Sequence, residues 1–272
     1  MPELPEVETI RLTILPKLKG RRIISGEVLH EKMVLGISVK EFLERVSGQK
    51  ITGMERRGKY LLIELAADLI IGLHLRMTGQ LTVEKSDSPL AKAIYFRLSL
   101  DNGTELRFRD QRKFGKVFLY SRGEPPLALE KIGPEPLSPE FTVAVLKERF
   151  GQRSLAVKKA LLNQEIIAGI GNIYADESLF YAGIHPARSV NSLTGAEIDG
   201  LYHAIQKVLS EGIKLGGTTF RDYRDGEGRA GSYQNKLNVY GQKGKTCPNC
   251  GGLIVKMNFG GRGTHFCPLC QK

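Results

Sequence analysis

The chain has 272 residues, 41% of them hydrophobic and 25% charged, which is enough apolar material for packed cores and excludes a disordered chain. Forty Lys+Arg against 29 Asp+Glu leave a net charge of +11, so a basic globular protein of two domains, or of one large domain and a small module, is expected. No apolar run reaches the ~18 residues of a membrane span, and Met1–Glu6 has neither the basic flank nor the apolar stretch of a secretory signal, so a cytoplasmic protein with no membrane partner is expected.

Pro5 to Leu15 carries Val7, Ile10, Ile14 and Leu15 at helical spacing, with Glu6 and Glu8 in the first turn, and predicts an opening helix. Leu69, Ile71, Leu73, Leu75 and Met77 alternate with Ile70, Gly72, His74, Arg76 and Thr78, the period of a strand with one apolar face, and on this pattern Met77 reads as a core residue. Ile94, Phe96, Leu98 and Leu100 repeat the alternation before Asp101-Asn102-Gly103, a hairpin turn leading into Leu106 and Phe108. Short strands with such turns suggest a sandwich or barrel.

The stretch 121–139 is rich in Gly and Pro and reads as a linker. Beyond it helical periodicity takes over. Ser138-Pro139-Glu140 is a start signal, Thr194-x-x-Glu197 is a capping box before Ile198, Leu201, Ile205, Val208 and Leu209, and Gly216-Gly217 stops that helix.

All four cysteines fall near the end, as Cys247-x2-Cys250, sixteen residues, then Cys267-x2-Cys270. Two disulfides are one reading. A reducing compartment and paired C-x2-C knuckles favour one structural zinc ion, whose four thiolates leave no open coordination position. The segment 228–272 has seven Lys/Arg and no acid, a solvated basic face or, beside a zinc module, a phosphate-binding surface.

Met1-Pro2 is a dipeptide from which the methionine is normally trimmed, leaving a secondary amine. An α-amino group has a pKa of ~7.7–8.0, so much of it is unprotonated near neutrality and available as a nucleophile toward a sugar carbon. On their own, Glu3 and Glu6 read as first-turn helix acids, Lys59 as a solvated strand residue and Gly169–Asn172 as a plain interhelical turn. However, Met1-Pro2-Glu3-Leu4-Pro5-Glu6-Val7-Glu8-Thr9 resembles the opening of the formamidopyrimidine-DNA glycosylases. The resemblance continues through Arg57–Tyr60, His74–Met77, Asp110–Gly115, Gly169–Tyr174 and Gly261–Cys270, in order along the chain.

That resemblance implies an α+β multidomain protein: an N-terminal β-sandwich with an opening helix (1–122), a linker (123–137), a helix-two-turn-helix domain with a lesion loop (138–228) and a zinc finger (229–272). It implies a bifunctional glycosylase and abasic-site lyase of base excision repair. Such an enzyme acts as a monomer on duplex DNA containing an oxidised purine (8-oxoguanine or a formamidopyrimidine) or an abasic site, with DNA crossing a cleft between lobes. Pro2 would attack the anomeric carbon and form a Schiff base, Glu3 would handle protons, Glu6 would support the site, Lys59 would supply a second cation, and Arg262 would assist δ-elimination after β-elimination. Met77, Arg112 and Phe114 would fill the void left by the flipped base, with Arg112 hydrogen-bonding to the orphaned partner. Arg153, Lys158, Asn172 and Tyr240 would contact DNA, and Arg221 and Tyr223 would lie on a loop over the flipped base that is poorly ordered without a lesion.

Two departures stand out. Where many members have Lys-His-x-His, this chain reads Lys92-Ala93-Ile94-Tyr95, and where many have an acid after Leu-Arg-Met it has Thr78. Both bear on DNA affinity or base preference. Two further readings compete, an endonuclease VIII-like glycosylase for oxidised pyrimidines and a non-catalytic zinc-ribbon nucleic-acid binder in which Pro2, Glu3 and Lys59 have no role.

Overall fold

The computed structural model describes all 272 residues, which fold as two compact units, Met1–Glu130 with Leu215–Ser232 and Lys131–Lys214 with Tyr233–Lys272. The first unit opens with α1 (Leu4–Leu18), started by a capping box between Glu3 and Glu6. The helix runs past the predicted end through Pro16, where a proline in the last turn costs one ladder bond while Leu18 is carried into the core. Then follow β1 (Ile23–Val28), β2 (Val34–Leu35), α2 (Val39–Val46), β3 (Ile51–Arg57), β4 (Tyr60–Leu65), β5 (Leu69–His74), β6 (Gly79–Lys85), β7 (Ile94–Leu100), β8 (Thr104–Asp110), β9 (Lys116–Ser121) and the short α3 (Leu127–Glu130).

The strands form a four-stranded antiparallel sheet, β1-β7-β8-β6, and a five-stranded sheet, β2-β9-β5-β4-β3, in which only β2 and β9 are parallel. One apolar core joins both sheets to α1 and includes Ile10, Ile14, Ile63, Ile71, Phe96 and Phe108. Each such side chain contributes about 1.5–3 kcal/mol.

The β7–β8 hairpin forms as read, with Gly103 at φ +74 in its turn. The alternation predicted for 69–78 is corrected. All six residues of β5 are buried, because this central strand is covered on both faces, and the strand ends at His74 rather than continuing to Met77.

The second unit contains α4 (Val143–Phe150), α5 (Val157–Leu162), α6 (Asn172–Ala182), α7 (Gly195–Lys214) and the hairpin of β10 (Val255–Phe259) and β11 (Arg262–Phe266). The first helix does not start at Ser138. Ser138–Phe141 is a turn closed by the Phe141 amide on the Ser138 carbonyl, and Thr142 is the cap, its hydroxyl accepting from the Val145 amide. Phe141 is buried, which fixes the turn and delays the helix.

The capping box on α7 is present, with the Thr194 amide on Glu197 Oε2 at 2.8 Å and the Glu197 amide on Thr194 Oγ1 at 3.3 Å. Gly216 and Gly217, at φ +71 and +80, end that helical run. From Leu215 the chain returns to the first unit, whereas the sequence reading kept it in the helical domain to 228. No helix is long and apolar enough to cross a membrane.

Candidate active site and nucleic-acid interface

Pro2, Glu3 and Glu6 are all buried at the start of α1. Glu6 is a two-sided acceptor, taking the Glu3 amide on Oε2 at 2.8 Å and the Thr218 amide on Oε1 at 2.7 Å. The first-turn acid read from sequence thus closes the helix start, and the same carboxylate also anchors the 215–232 segment. Gly217 is needed there, since at φ +80 an added Cβ would lie 2.8 Å from Glu6 Oε1.

The loop expected to be poorly ordered is tied to α1 at further points. The Tyr223 hydroxyl donates to the Glu6 carbonyl at 3.3 Å, and the Gly226 amide donates to Thr13 Oγ1 at 3.0 Å. Tyr223 is buried in the core of the first unit, and burial, reinforced by the Glu6 charge, raises its pKa and keeps it a donor. Tyr223 thus lies on the expected loop and anchors it, while Arg221 is exposed.

Lys59 sits in the two-residue β3–β4 turn, where Gly58 takes φ +56, and it is largely buried. Sequence reasoning missed what ties this turn to α1. Arg56 Nε meets Glu8 Oε2 at 3.0 Å and its Nη1 donates to the Gly58 carbonyl at 3.1 Å. Burial pushes the Glu8 carboxyl up, but hydrogen bonds and charge from Arg11 and Arg56 outweigh it and hold Glu8 below the ordinary range. The only sequence trace of this link was the Glu8/Arg11 pair at i,i+3.

His74, at the end of β5, is buried edge-on to Tyr60 and accepts the Arg76 amide on Nδ1 at 3.0 Å, which puts its proton on Nε2. Burial, with Arg76 and Lys59 charges nearby, lowers its pKa from 6.5 to about 3. The folded protein therefore binds no proton here between about pH 6.5 and 3 while the unfolded chain does, and stability must fall as pH drops through that window. Unfolding free energies from denaturant titrations between pH 6 and pH 4 are expected to fall more steeply for the wild type than for His74→Gln, by about 1.4 kcal/mol per pH unit. Parallel profiles would show that His74 is not held neutral.

Met77 and Phe114 are 47% and 48% exposed, so Met77 is not a core residue. Arg112 joins them, with Nη1 3.0 Å from Met77 Sδ and its guanidinium carbon 4.7 Å from the Phe114 ring centre. At the first departure, Ala93 takes a left-handed backbone with its carbonyl accepting the Asp110 amide, and Tyr95 carries the Lys113 ammonium over its ring.

In the second unit, Gln164 holds the turn between α5 and α6, accepting the Gly169 amide and donating to the Ile170 carbonyl, each at 3.0 Å. Asn172, first residue of α6, donates to the Gly263 carbonyl at 3.0 Å, and its buried Oδ1 has no hydrogen-bond partner. Arg262 is exposed beside Gly260-Gly261, whose φ values of +60 and +73 suit a two-residue hairpin turn. Arg153 is exposed and donates to the Arg149 carbonyl at 2.8 Å. Tyr240 packs edge-on to His265 while its amide donates to Glu177.

Lys158 is a correction. It is fully buried, with Nζ 2.6 Å from Asp176 Oδ1 and 2.7 Å from Thr264 Oγ1, so it joins α5 and α6 to β11 and does not present a surface cation.

The four cysteine Sγ atoms all lie within 4.8 Å of one another. Cys247–Cys270 and Cys250–Cys267 Sγ pairs are 3.7 and 3.5 Å apart, too far for disulfides at ~2.05 Å and near the ~3.8 Å edge of a tetrahedron with 2.3 Å zinc–sulfur bonds. The donor set fits one structural zinc ion.

Three family models match in succession: the formamidopyrimidine-DNA glycosylase N-terminal domain over 1–117, its H2TH domain over 132–224, and the zinc finger found in FPG and IleRS over 244–272. Formamidopyrimidine-DNA glycosylases of Symbiobacterium thermophilum and Carboxydothermus hydrogenoformans are 47% and 45% identical, covering all of this chain and 89% and 100% of theirs. A complex of Lactococcus lactis Fpg with abasic-site DNA superimposes with a TM-score of 0.93 at 39% identity, covering 99% of each chain. The wild-type L. lactis enzyme with N7-benzyl-Fapy-dG DNA gives the same TM-score and identity over 100% of each. Sequence, fold and four-thiolate finger agree along the whole length, and the chain belongs to the formamidopyrimidine-DNA glycosylase family.

Proposed function

We propose that this protein excises oxidised purines from duplex DNA and cleaves the strand at the resulting abasic site, acting in the cytoplasm on nucleoid DNA. The observation that carries this reading is the full-length likeness to Fpg–DNA complexes in a chain that keeps Pro2, Glu3 and Glu6 buried at one helix start.

Once Met1 is removed, the Pro2 nitrogen attacks C1′ of the flipped nucleotide. The C1′–base bond breaks, its electron pair leaves with the base, and the base takes up a proton. The Pro2 nitrogen loses its proton, the C1′–O4′ bond opens with O4′ taking up a proton, and the iminium so formed between C1′ and the Pro2 nitrogen acidifies C2′. Loss of that proton expels the 3′-phosphate, and a second elimination expels the 5′-phosphate.

Glu3 carries the protons in these steps, Glu6 holds the helix start and the loop, and Lys59 stabilises developing negative charge. Asn172 with the N-terminal amides of α6, together with Arg153, Tyr240 and Arg262, engages the DNA backbone, and Arg262 assists the second elimination. Arg221 lies against the flipped base. Met77, Arg112 and Phe114 fill the void, Arg112 pairing with the orphaned base. Zinc is structural and takes no part in bond making.

The test uses protein with verified Met1 removal and duplexes carrying 8-oxoguanine opposite cytosine or an oxidised pyrimidine. Borohydride is added and the trapped peptide mapped. An adduct at Pro2 that favours the purine duplex is expected. Preference for the pyrimidine duplex moves the protein to the endonuclease VIII-like class, and no adduct with either leaves a DNA binder without lyase chemistry.

A further inference from the structure

Met77 and the Arg112–Phe114 pair stand on two separate loop tips that leave the same end of the β6–β8 ladder, where Gly79 faces Asp110. Each tip contains a basic, non-glycine residue in the left-handed region, Arg76 at φ +55 and Lys113 at φ +59, a conformation that costs free energy and must be imposed from outside the residue. Each tip also ends in a glycine with no room for a side chain. A Cβ on Gly79 would lie 2.3 Å from the Leu75 carbonyl oxygen, and one on Gly115 would lie 2.5 Å from the Phe108 ring.

One buried carboxylate ties the tips together. Asp110, with no exposed surface, accepts the Thr78 hydroxyl and the Arg112 amide (3.2 Å) on Oδ1 and the Gly115 amide (2.6 Å) on Oδ2. Thr78 Oγ1 in turn accepts the same Arg112 amide at 3.2 Å. The hydroxyl of the first tip is thus hydrogen-bonded both to the carboxylate at the root of the second and to that tip's backbone. An acid at 78 would set a second carboxylate against Asp110.

We propose that Thr78 and Asp110 are positioning residues that hold the two tips as one preformed wedge, so that the reach of Met77 and the aim of Arg112 at the unpaired base are set before DNA binds. This rests on the void-filling role assigned above to Met77, Arg112 and Phe114. A wedge organised in the free protein loses less side-chain and loop entropy on insertion, and a guanidinium held in place can tell one opposite base from another. Thr78 therefore acts on lesion processing in duplex DNA, where a base must be replaced. It does not act on covalent chemistry at an abasic site in a single strand, where there is no void to fill.

The experiment compares Thr78→Val, which keeps the shape and removes the hydroxyl, with Thr78→Ser, which restores it. For each, excision is measured with 8-oxoguanine opposite cytosine and opposite adenine, and borohydride trapping with a single-stranded abasic oligonucleotide. Thr78→Val is expected to lower duplex excision roughly tenfold, the loss expected from one charge-assisted hydrogen bond. It should also draw the cytosine-to-adenine ratio toward one and leave single-strand trapping unchanged, with Thr78→Ser restoring both excision and ratio.

An equal fall in every assay would indicate general loss of structure and overturn the proposal, as would an unchanged opposite-base ratio. Met77→Ala and Arg112→Ala, run alongside, separate two failures. If they alter duplex excision and Thr78→Val does not, the clamp is refuted. If they too leave excision and the ratio unchanged, the void-filling reading falls with it.

Discussion

Protein whose Pro2 nitrogen is blocked, by retained Met1 or by acetylation after its removal, forms no borohydride-stable adduct with abasic DNA and loses excision by at least about a thousandfold. The reason is electronic. A free secondary amine has a lone pair and a pKa near ~8, whereas a nitrogen in an amide has its pair delocalised into the carbonyl and cannot attack carbon. Because Pro2 is buried at the start of α1, a blocking group could also disturb packing.

Processed Pro2→Gly is therefore the companion variant. It keeps a terminal amine at the same place, so trapping should persist at reduced rate while the blocked protein gives none. Circular dichroism spectra of the three proteins should coincide, and their unfolding free energies should agree within about 1 kcal/mol. An adduct on the blocked protein, at Lys59 or elsewhere, would remove Pro2 from the mechanism.

Zinc removal should have the largest structural effect. Cys247 and Cys267 are buried with only Phe180, Val239 and Ile254 in the small core of the finger, too little apolar area to hold it without the ion. Apparent zinc binding in comparable modules is worth about 10–16 kcal/mol, and that free energy is largely the folding free energy of the module.

One zinc per chain is expected by metal analysis. Chelation or Cys267→Ser should abolish amide protection over 244–272 while β3–β5 keep theirs. The β10–β11 turn carrying Arg262 is lost with the finger, so duplex affinity should fall by roughly a hundredfold or more at fixed salt. A chelated protein that retained finger protection and DNA affinity would show that the thiol cluster is not a metal site.

The sequence by itself determined whatever rests on short-range signals. The opening helix, the Asp101–Gly103 hairpin, the Thr194/Glu197 box and the Cys-x2-Cys knuckles each depend on residues within a few positions of one another, and all are present, the helix one turn longer than read. The ordered motifs along the chain identified the family for the same reason, since each is contiguous.

Tertiary structure decided the rest. Alternation over 69–78 could not reveal that a central strand is covered on both faces, nor that Arg76 turns left-handed and throws Met77 into solvent. A lysine at 158 looks like a phosphate contact until Asp176 and Thr264, the latter 106 residues away, are seen to bury it. No local signal showed that Gly217 and Gly226 allow close approach to Glu6 and Ile14, or that the loop of Arg221 and Tyr223 is held by a carboxylate more than 200 residues earlier. Which neighbour compensates a buried charge, fills a cap or imposes a positive φ depends on the distant parts of the chain that folding brings together, and no local period encodes that.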